Sequence, residues 1–156
     1  MSTKNPIVIA DGTKFWFLGR KLHREDGPAR IYPGGTREWH IDGKLHREDG
    51  PAIIHHCGSE EWYLDGKLHR KDGPARDFKD GGEEWYLDGK LHREDGPAIV
   101  DWYADGYDQW WMFGRRVDQK WVEKYKKLTQ KHSLLGIPVR DKWVTREIVL
   151  SWYHNP

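Results

Sequence analysis

The chain has 156 residues, with 26 Lys and Arg against 25 Asp and Glu, a formal charge of +1. That balance argues against a nucleic-acid partner held by phosphate contacts, which draws on a basic excess or a basic face. Ten Trp in a chain that is one-third charged argue against disorder and suit thin layers, where a large ring buries much area per residue.

In chain order, Pro6-Ile7-Val8-Ile9-Ala10-Asp11-Gly12-Thr13-Lys14-Phe15-Trp16 lines up with Ala29 to Trp39, so the chain opens on the second half of a repeated unit. Ile7 to Ala10 is too short an apolar run for a signal peptide, and no stretch approaches a membrane span. Leu-His-Arg then recurs at Leu22, Leu45, Leu68 and Leu91, Gly-Pro-Ala at Gly27, Gly50, Gly73 and Gly96, and a Trp at Trp16, Trp39, Trp62 and Trp85, each with a step of 23 residues. Cys57, the only cysteine, excludes an intrachain disulfide and points to a reducing, cytoplasmic setting.

Each unit reads as two short strands and two turns. Glu84-Trp85-Tyr86-Leu87 is aromatic and runs into Asp88-Gly89, a strong hairpin signal that Asp42-Gly43 and Asp65-Gly66 repeat. After Gly96-Pro97 comes a second run, Ala98-Ile99-Val100, with Pro tolerable at a strand start. Two registers compete. A tight turn at Asp88-Gly89 sets Leu87 opposite Lys90, Tyr86 opposite Leu91, Trp85 opposite His92 and Glu84 opposite Arg93, giving a Glu84–Arg93 ion pair. A longer loop from Gly89 to Gly96 pairs the Trp strand with the strand after Pro97. The longer loop is favoured, because Pro97 to Val100 needs a partner within its own unit. Either way, two strands per unit advance the array by roughly 10 Å.

The step of 23 residues and the string Trp85-Tyr86-Leu87-Asp88-Gly89-Lys90-Leu91-His92 resemble the MORN repeat family, in particular its divergent variants in bacteria, bacteriophages and large DNA viruses. Arg93-Glu94-Asp95-Gly96-Pro97-Ala98 departs from the Gly-x-Gly that usually follows. The resemblance covers residues 6 to about 118 and implies a mainly β fold, a single-layer antiparallel β-hairpin solenoid over 1–118 with about four and a half units. It also implies a scaffold or adaptor role, in a host cytoplasm if the source is viral.

Gly106 follows Gly81 by 25 residues, so the last unit carries an insertion near Asp101 to Asp108. Trp111-Met112-Phe113-Gly114-Arg115-Arg116-Val117 then echoes Trp16 to Leu22. Beyond Asp118 the pattern becomes helical: Trp121, Val122, Tyr125 and Leu128 share one stripe, and Asp141 is a plausible N-cap for a second helix. Residues 119–156 are therefore expected to form a two-helix cap. The N-terminal end has no comparable cap, so it stays an exposed edge or pairs with a second copy.

Four histidines (His23, His46, His69, His92) precede Arg and acidic residues in every unit, the residue types for metal or acid–base work. Ligands must converge on one ion, however, and equivalent positions lie roughly 10 Å apart. The arginines Arg24, Arg47, Arg70 and Arg93 suit planar anions, yet Glu25-Asp26, Glu48-Asp49, Asp72 and Glu94-Asp95 follow at once and neutralise them. Lys71 replaces the Glu in the third unit, so His69, Arg70 and Lys71 are the candidate anion contacts. Trp102, Tyr103, Tyr107, Trp110 and Trp111 are dense enough for a binding hot spot or for the seam with the cap, and the seam is favoured. No nucleophile motif, phosphate-cradling loop or cofactor motif is present. The expectation is a non-enzymatic scaffold that binds a protein, with no cofactor or metal; a small-ligand or nucleotide binder using the Trp and Arg ladders is the alternative.

Overall fold

The computed structural model describes residues 5–100, 108–120, 122–124, 127 and 130. They are mainly β, built from two-residue strands. One nine-stranded antiparallel sheet runs, in spatial order, through Ile7–Val8, Lys14–Phe15, Arg30–Ile31, Arg37–Glu38, Ile53–Ile54, Glu60–Glu61, Arg76–Asp77, Glu83–Glu84 and Ile99–Val100. Spatial order follows chain order, as in a meander. Five two-stranded hairpins leave this sheet, one after every Trp position: Phe17–Leu18 with Lys21–Leu22, His40–Ile41 with Lys44–Leu45, Tyr63–Leu64 with Lys67–Leu68, Tyr86–Leu87 with Lys90–Leu91, and Trp111–Met112 with Arg115–Arg116.

The two registers weighed above both occur. Glu83–Glu84 pairs with Ile99–Val100, whereas Tyr86–Leu87 pairs with Lys90–Leu91. Trp85 is the point of exchange: its N–H donates to Ala98 O (2.7 Å) and its carbonyl accepts from His92 N (2.9 Å). Trp16, Trp39 and Trp62 do the same with Ala29 and His23, Ala52 and His46, and Ala75 and His69. With two partners for one run, the backbone N–H and C=O of each Trp are both satisfied. The Glu84–Arg93 pair that the tight-turn register alone would give does not form: Glu84 lies against Arg76 (3.4 Å), and Arg93 against Asp95 (2.9 Å).

The hairpins turn tightly because Asp42, Asp65 and Asp88 (φ 51°, 50° and 52°) and the glycines after them (φ 82°, 79° and 78°) are all left-handed. Two positive φ values in a two-residue loop match the twist of the flanking strands. Each hairpin is also tied to the next, by Gly43 N to Leu22 O and by Arg24 N to His40 O, and so on along the chain to Gly114 N and Leu91 O.

A thin line of small side chains forms the interior. Ala29, Ala52, Ala75 and Ala98 are fully buried, and Trp16 is nearly so. The last unit keeps the same plan at a step of 25 residues, and here the sequence reading needs a correction. Val117 N donates to Trp110 O and Phe113-Gly114 forms the turn, so Trp110, not Trp111, stands in the position of Trp16 and Trp85. The echo was one residue out of register.

Residues 119–120 and 122–124 are helical. Val122 is buried against Met112, with Trp110, Phe113 and Val117 around them, so this helical turn packs on the last hairpin. The second helix proposed from Asp141 falls outside the described residues. At the other end Ile7–Val8 is the outermost strand of the described sheet, with Ile7, Val8 and Ile9 exposed. Among the described residues no helix is long and apolar enough to cross a membrane.

Candidate functional site

Side chains two apart on a strand share a face, so each Trp position lies on the same side as the residue two before it. On that side the loop after each hairpin folds back over its Trp. The guanidinium of Arg24 lies 4.3 Å from the centre of the Trp16 ring, Arg47 4.3 Å from Trp39, Arg70 4.0 Å from Trp62 and Arg93 3.9 Å from Trp85. Nε of each donates to the Asp two residues on, at 2.7, 2.8, 3.4 and 2.9 Å. One Nη donates to the Pro carbonyl four residues on, at 3.2–3.4 Å. A cation over a ring contributes roughly 0.5–1 kcal/mol even near the surface. The hydrogen bond from Arg24, and then its charge, hold the Asp26 carboxyl below the ordinary range; Arg47 does the same to Asp49. Local neutralisation of the Arg ladder was expected; the ring and carbonyl contacts were not.

The histidines sit behind these loops. His23 Nδ1 accepts the backbone N–H of Asp42 in the following turn (3.1 Å), and His46 and His69 do so from Asp65 and Asp88. His92 accepts from Phe113. Each therefore satisfies an N–H exposed by a left-handed turn residue one unit ahead. Nε2 then faces a carboxylate: Glu25 at 3.5 Å, Glu48 at 3.7 Å and Glu94 at 3.7 Å. In the third unit Lys71 occupies that place, and the carboxylate beside His69 is that of Asp88, 2.8 Å from Nδ1. Among the described residues, no three or more His, Cys, Asp or Glu side chains are grouped to hold a metal ion.

Among the described residues, three equivalent grooves lie between successive loops, of about 620, 590 and 500 Å³. Their floors are Trp39 with Ile41, Trp62 with Leu64, and Trp85 with Leu87; their walls are the loops on either side, Arg-Glu-Asp except for Arg70-Lys71-Asp72. His69, Arg70 and Lys71 come together in the middle groove, and Arg70 and Lys71 also wall the next. Arg70 is engaged by Trp62, Asp72 and Pro74, so Lys71 is the exposed cation of the set.

The aromatic cluster of the last unit divides. Trp110 belongs to the seam with Val122, while Trp111 points to the opposite face and donates Nε1–H to Gln109 (3.1 Å). Trp102, Tyr103 and Tyr107 lie outside the described residues.

Sequence reading missed the other face. Glu38, Glu61 and Glu84 each hold a ring two residues on: His40 Nε2 at 3.0 Å, Tyr63 Oη at 2.8 Å and Tyr86 Oη at 3.1 Å. Tyr32 and His55 join from the neighbouring turn side, and Arg76 bridges Glu61 and Glu84. Burial pushes Glu38 up, but hydrogen bonds from His40 and Tyr32 and the Arg30 charge outweigh it, so the carboxyl is held below the ordinary range. Glu61 is held down in the same way by His55, Tyr63 and Arg76. Burial and the Glu84 charge push the Tyr86 phenol up to about 12. The strip is a structural network with filled hydrogen bonds, except for Arg30 Nε and His40 Nδ1, which are buried without partners.

No family model matches the chain, and no curated protein matches it.

Proposed function

We propose that this chain is a non-enzymatic, MORN-like β-hairpin solenoid, closed by a helical cap over 119–156, whose row of loop-walled grooves binds an extended segment of a protein partner. The repetition of one groove three times carries this reading, because an extended ligand can meet equivalent contacts at each step. Support also comes from the polar residues themselves. The repeated Arg, Asp and His side chains are occupied in building loops, and rigid loops lower the ordering cost of binding. Exposed carboxylates on the groove walls and an aromatic or aliphatic floor suit polypeptide side chains, with the aromatic anchors as the main affinity source. A bacteriophage or mobile-element source, as the resemblance implies, makes the partner a host macromolecule.

A pull-down from a bacterial lysate with wild-type protein and with Lys71→Glu tests this. A stoichiometric protein bound by the wild type and lost with Lys71→Glu, at unchanged thermal stability, is the expected result. Finding only a copurifying metabolite overturns it. The exposed Lys71 beside His69 favours one second reading, a small anionic ligand or nucleotide in the middle groove. A thermal shift with nucleotides that disappears in Lys71→Ala would establish that reading instead. Arg70→Ala is the wrong probe, since losing its contacts to Trp62 and Asp72 disturbs the loop itself.

A further inference from the structure

Outside the groove linings, one row of the nine-stranded sheet carries charges of which all but Glu83 lack an ion-pair partner among the described residues. Cross-strand partners share a face, and the register runs Val8–Lys14–Ile31–Arg37–Ile54–Glu60–Asp77–Glu83–Val100 across all nine strands. Lys14 and Arg37 lie in the first half, and three carboxylates lie consecutively in the second. Like charges directly opposite one another are destabilising, yet Glu60 and Asp77 have no ion-pair partner among the described residues, and neither do Lys14 and Arg37. Glu83 alone has contacts, with Trp85 Nε1 (3.2 Å) and, at 4.0 Å, Arg93. None of these nine residues lines a groove.

We propose that this face binds a second copy of the chain, face to face, about a two-fold axis that passes through Ile54 parallel to the strands. Such an axis reverses the row, so the fourth residue meets the sixth of the partner, the second meets the eighth, and the ends meet each other. Arg37 then faces Glu60, Lys14 faces Glu83, and Val8 faces Val100, with Ile54 on Ile54; Ile31 against Asp77 is the one unlike pairing. The alternative axis, along the row, would set Arg37 on Arg37 and Glu60 on Glu60. Charge selects the first. An isologous contact of this kind repeats every pair twice, so four ion pairs flank a β-branched centre. Val8, Ile31, Ile54 and Val100 supply apolar area along a row on the order of 40 Å long, from nine strands about 4.8 Å apart. The row lies on the same side of the sheet as the Trp rings and their loops, but the contact uses residues outside the three groove linings and a different partner.

Sedimentation equilibrium across a concentration series tests it. Wild-type protein is expected to be a dimer whose dissociation constant rises with salt. Arg37→Glu and Glu60→Arg alone each place like charges together twice and should weaken association by about tenfold or more. Mixed in equal amounts, the two variants should recover a heterodimer. The two introduced charges, opposite in sign, then face each other at one contact, and the native Arg37 and Glu60 face each other at the second. Both positions are surface-facing, so circular dichroism should show each variant folded. A monomeric wild type overturns the proposal, and so does a dimer that Arg37→Glu leaves unchanged or that mixing fails to restore.

Discussion

At the scale of single residues, the Arg-Glu-Asp-Gly-Pro string is a device for laying a guanidinium on an indole. Gly73 shows how tightly it fits. A Cβ there would lie 2.6 Å from Arg70 Cζ, and at Gly27, Gly50 and Gly96 the distances are 3.1, 3.0 and 2.9 Å. None of the four needs a left-handed φ, so the requirement is space alone. Gly73→Ala should displace Arg70 from Trp62 and Asp72 and cost about 1–2 kcal/mol, the sum of an exposed cation–π contact and a surface ion pair. Gly34→Ala is the control. Nothing lies within 4 Å of its Cβ and its φ is not left-handed, so it should be neutral or stabilising by up to about 1 kcal/mol through the unfolded chain. Urea unfolding of the two variants would measure the difference, and equal midpoints would remove the packing account. Neutralisation of Arg by the following Asp was legible because the two stand only two residues apart in sequence. The reason for the Gly was not, since it depends on where a side chain lands after the loop closes.

Between elements, the useful distinction is between positions whose identity repeats and positions whose role repeats. Trp16, Trp39, Trp62 and Trp85 announce themselves. The equivalent row on the opposite face reads Phe17, His40, Tyr63, Tyr86 and Trp111, five positions with four residue types, and it is invisible to a search for identity. In the last unit two tryptophans stand side by side, and only the backbone bond from Val117 to Trp110 decides which of them occupies the Trp position. The hidden row has a measurable consequence. Glu38 and Glu61 hold protons less readily when folded than when unfolded. Their contribution is therefore full above the ordinary glutamate value of 4.5 and is lost as pH falls through the lower folded values. Urea midpoints should stay level from about pH 7 to about pH 5 and decline below that. In Glu38→Gln/Glu61→Gln the decline should be shallower. Parallel declines in the two proteins would show that other carboxylates, such as Asp26 and Asp49, carry the acid sensitivity.

Across the described residues, the backbone bonds between hairpins join each unit to the next, and the interior is thin, a line of alanines with Trp16 and the Met112–Val122 contact. Arrays built from neighbour contacts behave as nearly independent units coupled one to the next. Damage should then spread according to where it is made. The amides of His23, His46, His69 and His92, each bonded to the carbonyl of the Trp seven residues before it, make four evenly placed reporters. Ala29 and Ala52 have no exposed surface, so Leu at either site overpacks and costs about 1–3 kcal/mol. With Ala29→Leu, native-state hydrogen exchange should quicken at His23 and leave His69 and His92 close to wild type. Ala52→Leu should quicken His46 together with both of its neighbours, because it cuts the array from the inside. Equal loss of protection at all four amides in both variants would mean that the chain opens as one block. Coupling between units would then dominate over the stability of each, and a ligand bound in any one groove would stabilise every other.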